Sequence, residues 1–473
     1  MTQRLPESTS KEGILHFIAE NDVKILNLCH IPQDGRLKTL SFDATNHGKI
    51  NETLEGGERV DGSSLFSFLE PGKSDIFIEP RPDTAFINPF SKTLTLNVLC
   101  NYLDAEGNPL QSAPQSVLVR AEKKLLGSSG ITLKALAELE FYVISKRLGE
   151  PLFPANPDSN YHESSPFTRF EDLRNEIIST LSGIGITVKY GHSEVGQLAD
   201  DDCEFFEQQE IELSPQNLTR MAESVAVSKW AIRNVCAKHE VSVSFAPKIS
   251  LEHAGTGMHI HLCAVKGHKN IVADQHRSLS GEAQKIIGGT LKFAPSLCAF
   301  ANPTPVSYMR FIARKESPIH ICWSYRNRLA LVRIPLWPRV KEEMRRKNEC
   351  GETFEYRGSD ALANPYLLFA GLALAADYGL TNPQEALRIS EHLRVDGGDR
   401  GQRLKTLPFS CSDSARNLER DRQFYEADNV FPRKLIDKTI ESLKSYEDGN
   451  LWQELKDKPD EADKMLKQYR HFG

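Results

Sequence analysis

The stretch TLKALAELEFYVI, residues 132–144, reads as a β-strand of alternating apolar side chains, and it carries Glu138 and Glu140 two positions apart. Side chains at i and i+2 of a strand share a face, so the two carboxylates point the same way. Like charges placed so repel unless a cation lies between or beside them. A second strand-like stretch, HAGTGMHIHLC at 253–263, repeats the arrangement with His259 and His261, just after a run of small residues that includes Gly255 and Gly257. Either pair alone reads equally as a solvated strand face or as structural histidines.

Other stretches add to these two. GHSEV supplies Glu194, EQQEIEL supplies Glu210, and FEYRGSD supplies Glu355 and Arg357. Five glutamates and a histidine on strand-like segments suffice for two metal sites. Hard oxygen ligands favour Mg²⁺ or Mn²⁺ over zinc, and no cysteine cluster competes. Arg310, Arg314, Arg326, Arg328 and Arg333 lie in or around SYRNRLALVRIP. Arginine suits bidentate contacts to carboxylate and phosphate, although Arg314 and Arg326 read as surface charge. Metals and arginines without a glycine-rich phosphate loop point to phosphoryl transfer from ATP on another scaffold.

The rest of the chain sets the frame. Its 473 residues are 40% hydrophobic and 26% charged, enough to bury a large core. A net charge of −6 argues against a nucleic-acid binder. No run approaches a membrane span, and the polar start MTQRLPESTSKEG lacks a signal-peptide core. Nine cysteines without a CxxC read as small core residues of a reduced, cytoplasmic protein. Residues 1–12 read as a tail. The strand-rich segment 13–111 and the mixed segment 112–473 read as two domains, with Ser112 and Pro114 opening a helix at the boundary. Ser214 followed by Pro215 predicts a helix N-terminus, and Leu218, Met221, Val225 and Val235 give that helix an apolar stripe. SVSFAPKI and GMHIHLCAV read as a strand pair.

The ordered motifs VDGSSL, ELEFYV, HSEV, EQQEI, FAPK, GTGMHIH, NPTPVSYMR, KESP, NRLALVRIP, EYR and ANPYL resemble glutamine synthetase closely. The resemblance implies an α+β fold: a small N-terminal β-grasp-like domain and a large catalytic domain with a curved, mostly antiparallel sheet flanked by helices. It implies ligation of ammonia to the γ-carboxylate of glutamate through γ-glutamyl phosphate, with ATP and two or three Mg²⁺ or Mn²⁺ ions. It also implies stacked rings with active sites at subunit interfaces. By the same resemblance Glu138, His259 and Glu355 hold the ATP-side metal. Glu140, Glu194 and Glu210 hold the metal on the glutamate and ammonium side. Gly255, Arg310 and Arg357 contact the amino-acid substrate, while His261, Arg328 and Arg333 face the nucleotide phosphates. Glu316 is the flap acid that takes a proton from bound ammonium, and Asp61, with Ser64 a weaker match in its loop, binds and deprotonates ammonium in a neighbouring subunit's site.

The sequence also departs from that family. Ala254 replaces an asparagine beside the substrate loop, which keeps open a ligase that joins glutamate to an amine such as a polyamine or ethanolamine. The acidic insertion LADDDCEFF, at 198–206, leaves Glu204 and Glu207 as alternatives to Glu210. A second insertion, roughly 337–348, precedes Glu355. Basic residues expected near it are replaced by Cys350 and Thr353, with Arg345, Arg346 or Lys347 as stand-ins. Cys263 stands where serine is usual near the nucleotide. Lys405, before Leu407-Pro408, occupies the position of the tyrosine that some bacterial members adenylylate, so that control is not expected. A non-catalytic ring-forming relative would be expected to have lost metal ligands, and all six residue positions are filled.

Overall fold

The computed structural model describes residues 9–146, 153, 156–199, 204–312, 317–395, 404–455 and 457–473. Residues 1–8 of the expected tail lie outside the described residues; its last two residues begin a capped helix, Lys11–Asn21, whose Ser10 side chain accepts from the Gly13 amide. Ile14 and Ile18 anchor this helix in the core. It opens a unit built on a six-stranded sheet: β1 (Ile25–His30), β2 (Lys38–Asp43), β3 (Glu58–Asp61), β4 (Asp75–Pro80), β5 (Phe86–Ile87) and β6 (Thr95–Leu103). The order is β2-β1-β6-β4-β3, with β5 on β6 and β1 parallel to β6.

His30 at the end of β1 is buried, and its Nδ1 lies 2.7 Å from the Tyr102 hydroxyl. Burial, aided by Lys38 and opposed by Asp34, pushes its pKa down to about 4. Unfolded, the ring takes a proton near its ordinary value, so protons favour the unfolded chain. The stability held at His30 is therefore complete above about pH 6.5 and is lost as pH falls to about 4, a change of about 3 kcal/mol. Urea unfolding of wild type and His30→Gln between pH 7 and 4 checks this. The gap between them should shrink as pH falls; a constant gap would refute the assignment.

The second unit opens with a helix at Pro114–Ser129 and is built on a ten-stranded sheet. Its strands are β7 (Ile131–Lys146), β8 (Val188–Ala199), β9 (Glu204–Leu213), β10 (Gln216–Asn217), β11 (Ser242–Ser244), β12 (Met258–Lys266), β13 (Lys269–Asn270), β14 (His320–Tyr325), β15 (Ala330–Ile334) and β16 (Phe354–Tyr356). The main order is β14-β15-β16-β12-β7-β9-β8, and only β14 and β15 run parallel among its neighbours. Helices Pro114–Ser129 and Leu218–Lys238 pack on β7 and Gly281–Ala301 meets β14, while Pro365–Thr381, buried along most of its length, packs against all three helices. This is the expected α+β architecture, with a β-grasp sheet followed by a curled, largely antiparallel one.

Two local expectations are corrected. The helix after residue 214 starts at Leu218, capped by Asn217, whose side chain accepts from the Arg220 amide. Asparagine caps as well as serine, and Gln216–Asn217 first pair with β7, so the chain turns later than Ser214-Pro215 suggests. The predicted strand pair is not a pair. β11 and β12 both lie along β7, at Tyr142–Ile144 and Ile131–Leu139 respectively, end to end.

Candidate functional site

Strand register brings the ionisable residues together in three cross-strand rows. Glu140 of β7 faces Glu210 of β9, which faces His192 of β8. Glu138 faces His259 on one side and Glu212 on the other, and Glu212 faces Tyr190. His261 faces Glu355 of β16, which faces Arg333 of β15. Apart from Glu355, which is buried, these residues line an open cavity of about 830 Å³.

Two groups of three residues each place one ligand atom within 4.8 Å of the others: Glu138, His261 and Glu355, and Glu140, Glu194 and Glu210. His259 stands between them. Its Nδ1 is 2.9 Å from Glu138, 3.6 Å from Glu140 and 3.8 Å from Glu355. His261 reaches Glu138 through Nε2 at 2.9 Å and Thr353 Oγ1 through Nδ1 at 3.2 Å. Burial alone would raise the Glu138 pKa, but His261 and His259 outweigh it and hold it well below the usual range. Burial, then Glu138, Glu140 and Glu194, push Glu210 well above it.

These residues fit divalent ions. The donors are chiefly carboxylate oxygens, as hard cations prefer, and the inner oxygen Oε2 of buried Glu212 has no hydrogen-bond partner. The excess of acids around Glu210 gives a measurable consequence. Without metal, Glu210→Gln should melt a few degrees above wild type, because it removes like-charge repulsion. Adding Mg²⁺ or Mn²⁺ should then raise the melting temperature of wild type more than that of the variant, in which only the Glu138, His261 and Glu355 group is intact. Equal metal responses would remove Glu210 from the ligand set.

The alternatives left by the acidic insertion resolve geometrically. Glu204 pairs with Arg470 at 2.6 Å. Glu207, fully buried, accepts from the Arg169 and Phe170 amides and from Gln197. Only Glu210 of the three stands with Glu140 and Glu194.

The wall opposite the acids is cationic. Glu355, without solvent exposure, accepts from Arg333 Nη1 at 2.7 Å and from the Arg357 guanidinium. Arg310, also buried, donates to the Arg357 carbonyl. A Cβ on Gly255 would come within 2.8 Å of Arg310, and one on Gly257 within 2.7 Å of His259, so only glycines let this loop lie so close. The loop is held from below. Tyr142 Oη donates to the Ala254 carbonyl, Gln208 to the Gly255 carbonyl, and the Gly257 amide to Glu140. Arg328 lines the cavity and lies over the Tyr161 ring at 5.8 Å.

Glu316 and Arg314 lie outside the described residues. Asp61 ends β3 in the N-terminal unit and is not among the described residues that line the cavity. Its carboxylate accepts from the Ser63 amide and from the Ser63 and Ser64 hydroxyls, which hold it far below the usual carboxylate range. The segment 337–348 forms a short helix at Glu342–Lys347, where Arg345 is bound to Glu352 and Glu342. The side chains of Arg346 and Lys347 lie outside the described residues. Cys263 and Cys350 are joined in a disulfide, against the expectation of core thiols only. The other cysteines among the described residues are free and buried.

Sequence reasoning missed His192, Glu212, Tyr161 and Tyr190, all of which line the cavity. For two of them the signal was present: His192 lies two residues before Glu194, and Glu212 two after Glu210, on the same strand faces.

Residues 111–463 match the family described as "Glutamine synthetase, catalytic domain", and residues 22–105 match "Glutamine synthetase, beta-Grasp domain". The chain is 28% identical over 470 residues to the glutamine synthetase of Aquifex aeolicus, covering 93% of this chain and 96% of that protein. It is 29% identical over 468 residues to that of Rhizobium meliloti, covering 92% and 95%. A cryo-EM structure of Plasmodium falciparum glutamine synthetase superposes with a TM-score of 0.81 at 20% identity, covering 95% of this chain and 98% of that one. At that identity the likeness speaks for the fold.

Proposed function

The chain belongs to the glutamine synthetase family, and from that premise we propose that it is an ATP-dependent ligase joining ammonia to the γ-carboxylate of glutamate. Support comes first from the register that lays an acid-and-histidine group and an all-acid group side by side at one cavity, with Arg310, Arg333 and Arg357 along its wall.

The chemistry demands such a site. A carboxylate cannot lose oxide to an amine, so the γ-carboxylate must first become an acyl phosphate. Glu138, Glu355 and the histidines, and Glu140, Glu194 and Glu210, would hold divalent ions, which would neutralise charge in that transfer. Arg328 and Arg333 face the phosphate, and Arg310 and Arg357 the carboxylates of the amino acid. The loop at Gly255 offers backbone to the α-amino group. Ammonium must be bound and then stripped of a proton. Asp61, ionised by its own loop, supplies the binding charge from a neighbouring copy, and Glu316 takes the proton and closes the site against water. Ring assembly and a cytoplasmic location follow from the same reading.

A second reading, ligation of glutamate to an amine, draws on Ala254 and on the exposed rings of Tyr161 and Tyr190 at the cavity mouth, which offer room and π-faces to a larger cation. The deciding experiment measures ATP-dependent phosphate release with Mg²⁺, glutamate and either ammonium or a panel of amines, with product masses. Glutamine as product supports the first reading. Turnover with amines but not ammonium moves the protein to the second.

A further inference from the structure

We propose that Cys263 and Cys350 are a thiol–disulfide modification site on the nucleotide side of the cavity, and that the bridge tightens ATP binding. The assignment of that side to ATP rests on the ligase reading above.

Cys263 follows His261 by two residues on β12, so it shares the face that carries His259 and His261. Cys350 belongs to the segment between β15 and β16, and it lines the cavity with Trp337, Asn348, Gly351 and Thr353. The two Cα atoms are 5.5 Å apart across 87 residues of sequence, within ordinary bridging reach. Thr353, three residues beyond Cys350, carries the hydroxyl that meets His261. The bridge and the His261 contact therefore fasten the same segment to the same strand.

Apart from Trp337, which packs against the core, few buried contacts fasten it. Leu336, Val340 and Met344 are exposed rather than packed. Arg345–Glu352 and Trp337–Thr353 are bonds within the segment itself. Ties to the rest of the fold are Asn270 to the Glu352 carbonyl, Arg277 to the Pro338 carbonyl, Arg345 to the Asp274 carbonyl, and ion pairs of Glu349 with Lys134, about one-third exposed, and with the fully exposed His268. Ion pairs so exposed contribute little. A segment with so few buried contacts opens readily once its covalent tie is cut.

Among the described residues the other cysteines are buried, so the chemistry falls to this pair. Cys263 is buried and Cys350 partly open to the cavity, so Cys350 meets solution reagents first. Its thiolate attacks a low-molecular-weight disulfide, one thiolate leaves, and a mixed disulfide forms. The Cys263 thiolate then displaces the second thiolate and closes the bridge. The two protons lost by the cysteines end on the two released thiols. A dithiol reverses the sequence. In a reducing compartment a bridge of this kind is transient and responsive rather than permanent.

The test uses the full-length protein in a Cys203→Ser background, equilibrated with graded ratios of oxidised to reduced glutathione. Alkylation, digestion and mass spectrometry should find a 263–350 linked peptide that rises with oxidant. Calorimetric titration with ADP and Mg²⁺ should show the oxidised form binding several-fold tighter than the reduced. Cys350→Ser and Cys263→Ser should both bind as the reduced form does, whatever the buffer. No linked peptide at any ratio, equal affinities, or no nucleotide binding by either form would overturn the proposal. A protein that shows the switch but yields no glutamine overturns the ligase reading alone.

Discussion

Asp61→Ala and Glu194→Gln are each expected to lower kcat by about 10²–10⁴-fold, the range for losing a positioned acid–base or charge-stabilising group. Mixed before assembly, the two inactive proteins should recover activity. A site made from one subunit's sheet and its neighbour's Asp61 loop is intact whenever a Glu194-bearing sheet meets an Asp61-bearing loop. Random association of equal amounts makes that about one site in four. The structure motivates this because Asp61 lies on the N-terminal sheet, apart from the cavity lining, while its carboxylate is already oriented by Ser63 and Ser64. A carboxylate so held is a poor base and a good anion, which is why proton removal is assigned to Glu316. Assay of unfolded, mixed and reassembled variants decides it. Recovery to no more than the sum of the parents would place Asp61 in its own subunit's site or outside catalysis.

Glu355→Gln carries the largest expected loss of stability. Two guanidiniums, Arg333 and Arg357, converge on a carboxylate with no solvent exposure, and His259 lies 3.8 Å away. Removing the anion leaves buried cations without compensation, a loss of about 3–5 kcal/mol. Because the chemistry also needs Glu355, activity should vanish together with the lowered denaturant midpoint. The double replacement Glu355→Gln with Arg333→Gln should regain part of the stability and none of the activity. A single variant that unfolds within about 1 kcal/mol of wild type, the worth of one hydrogen bond, would mean that solvent or a bound anion already satisfies the arginines.

What was legible in the sequence follows from range. Glu138 with Glu140 and His259 with His261 are two-residue periodicities, and strands show these locally. Glu210 could not be told from Glu204 or Glu207 by spacing. What separates them is pairing across β9, which places Glu210 opposite Glu140 and Glu207 opposite Val143. The same non-local register hid Glu212 and His192. The helix start slipped because Asn217 caps as well as Ser214. The disulfide was illegible because nothing in an 87-residue separation announces that two chain segments meet. Both cysteines nevertheless stood at positions where the family resemblance led one to expect another residue.

The length of β7 has a further consequence. Both candidate ion groups draw a ligand from this one strand, at positions two residues apart, and the pleat sets that step at about 7 Å. The strand therefore acts as a rigid gauge block between the two halves of the reaction. A residue inserted between 138 and 140 would turn one carboxylate to the opposite face and leave the other behind. Length can change freely only where the gauge has ended, as between β8 and β9, around which the acidic insertion lies.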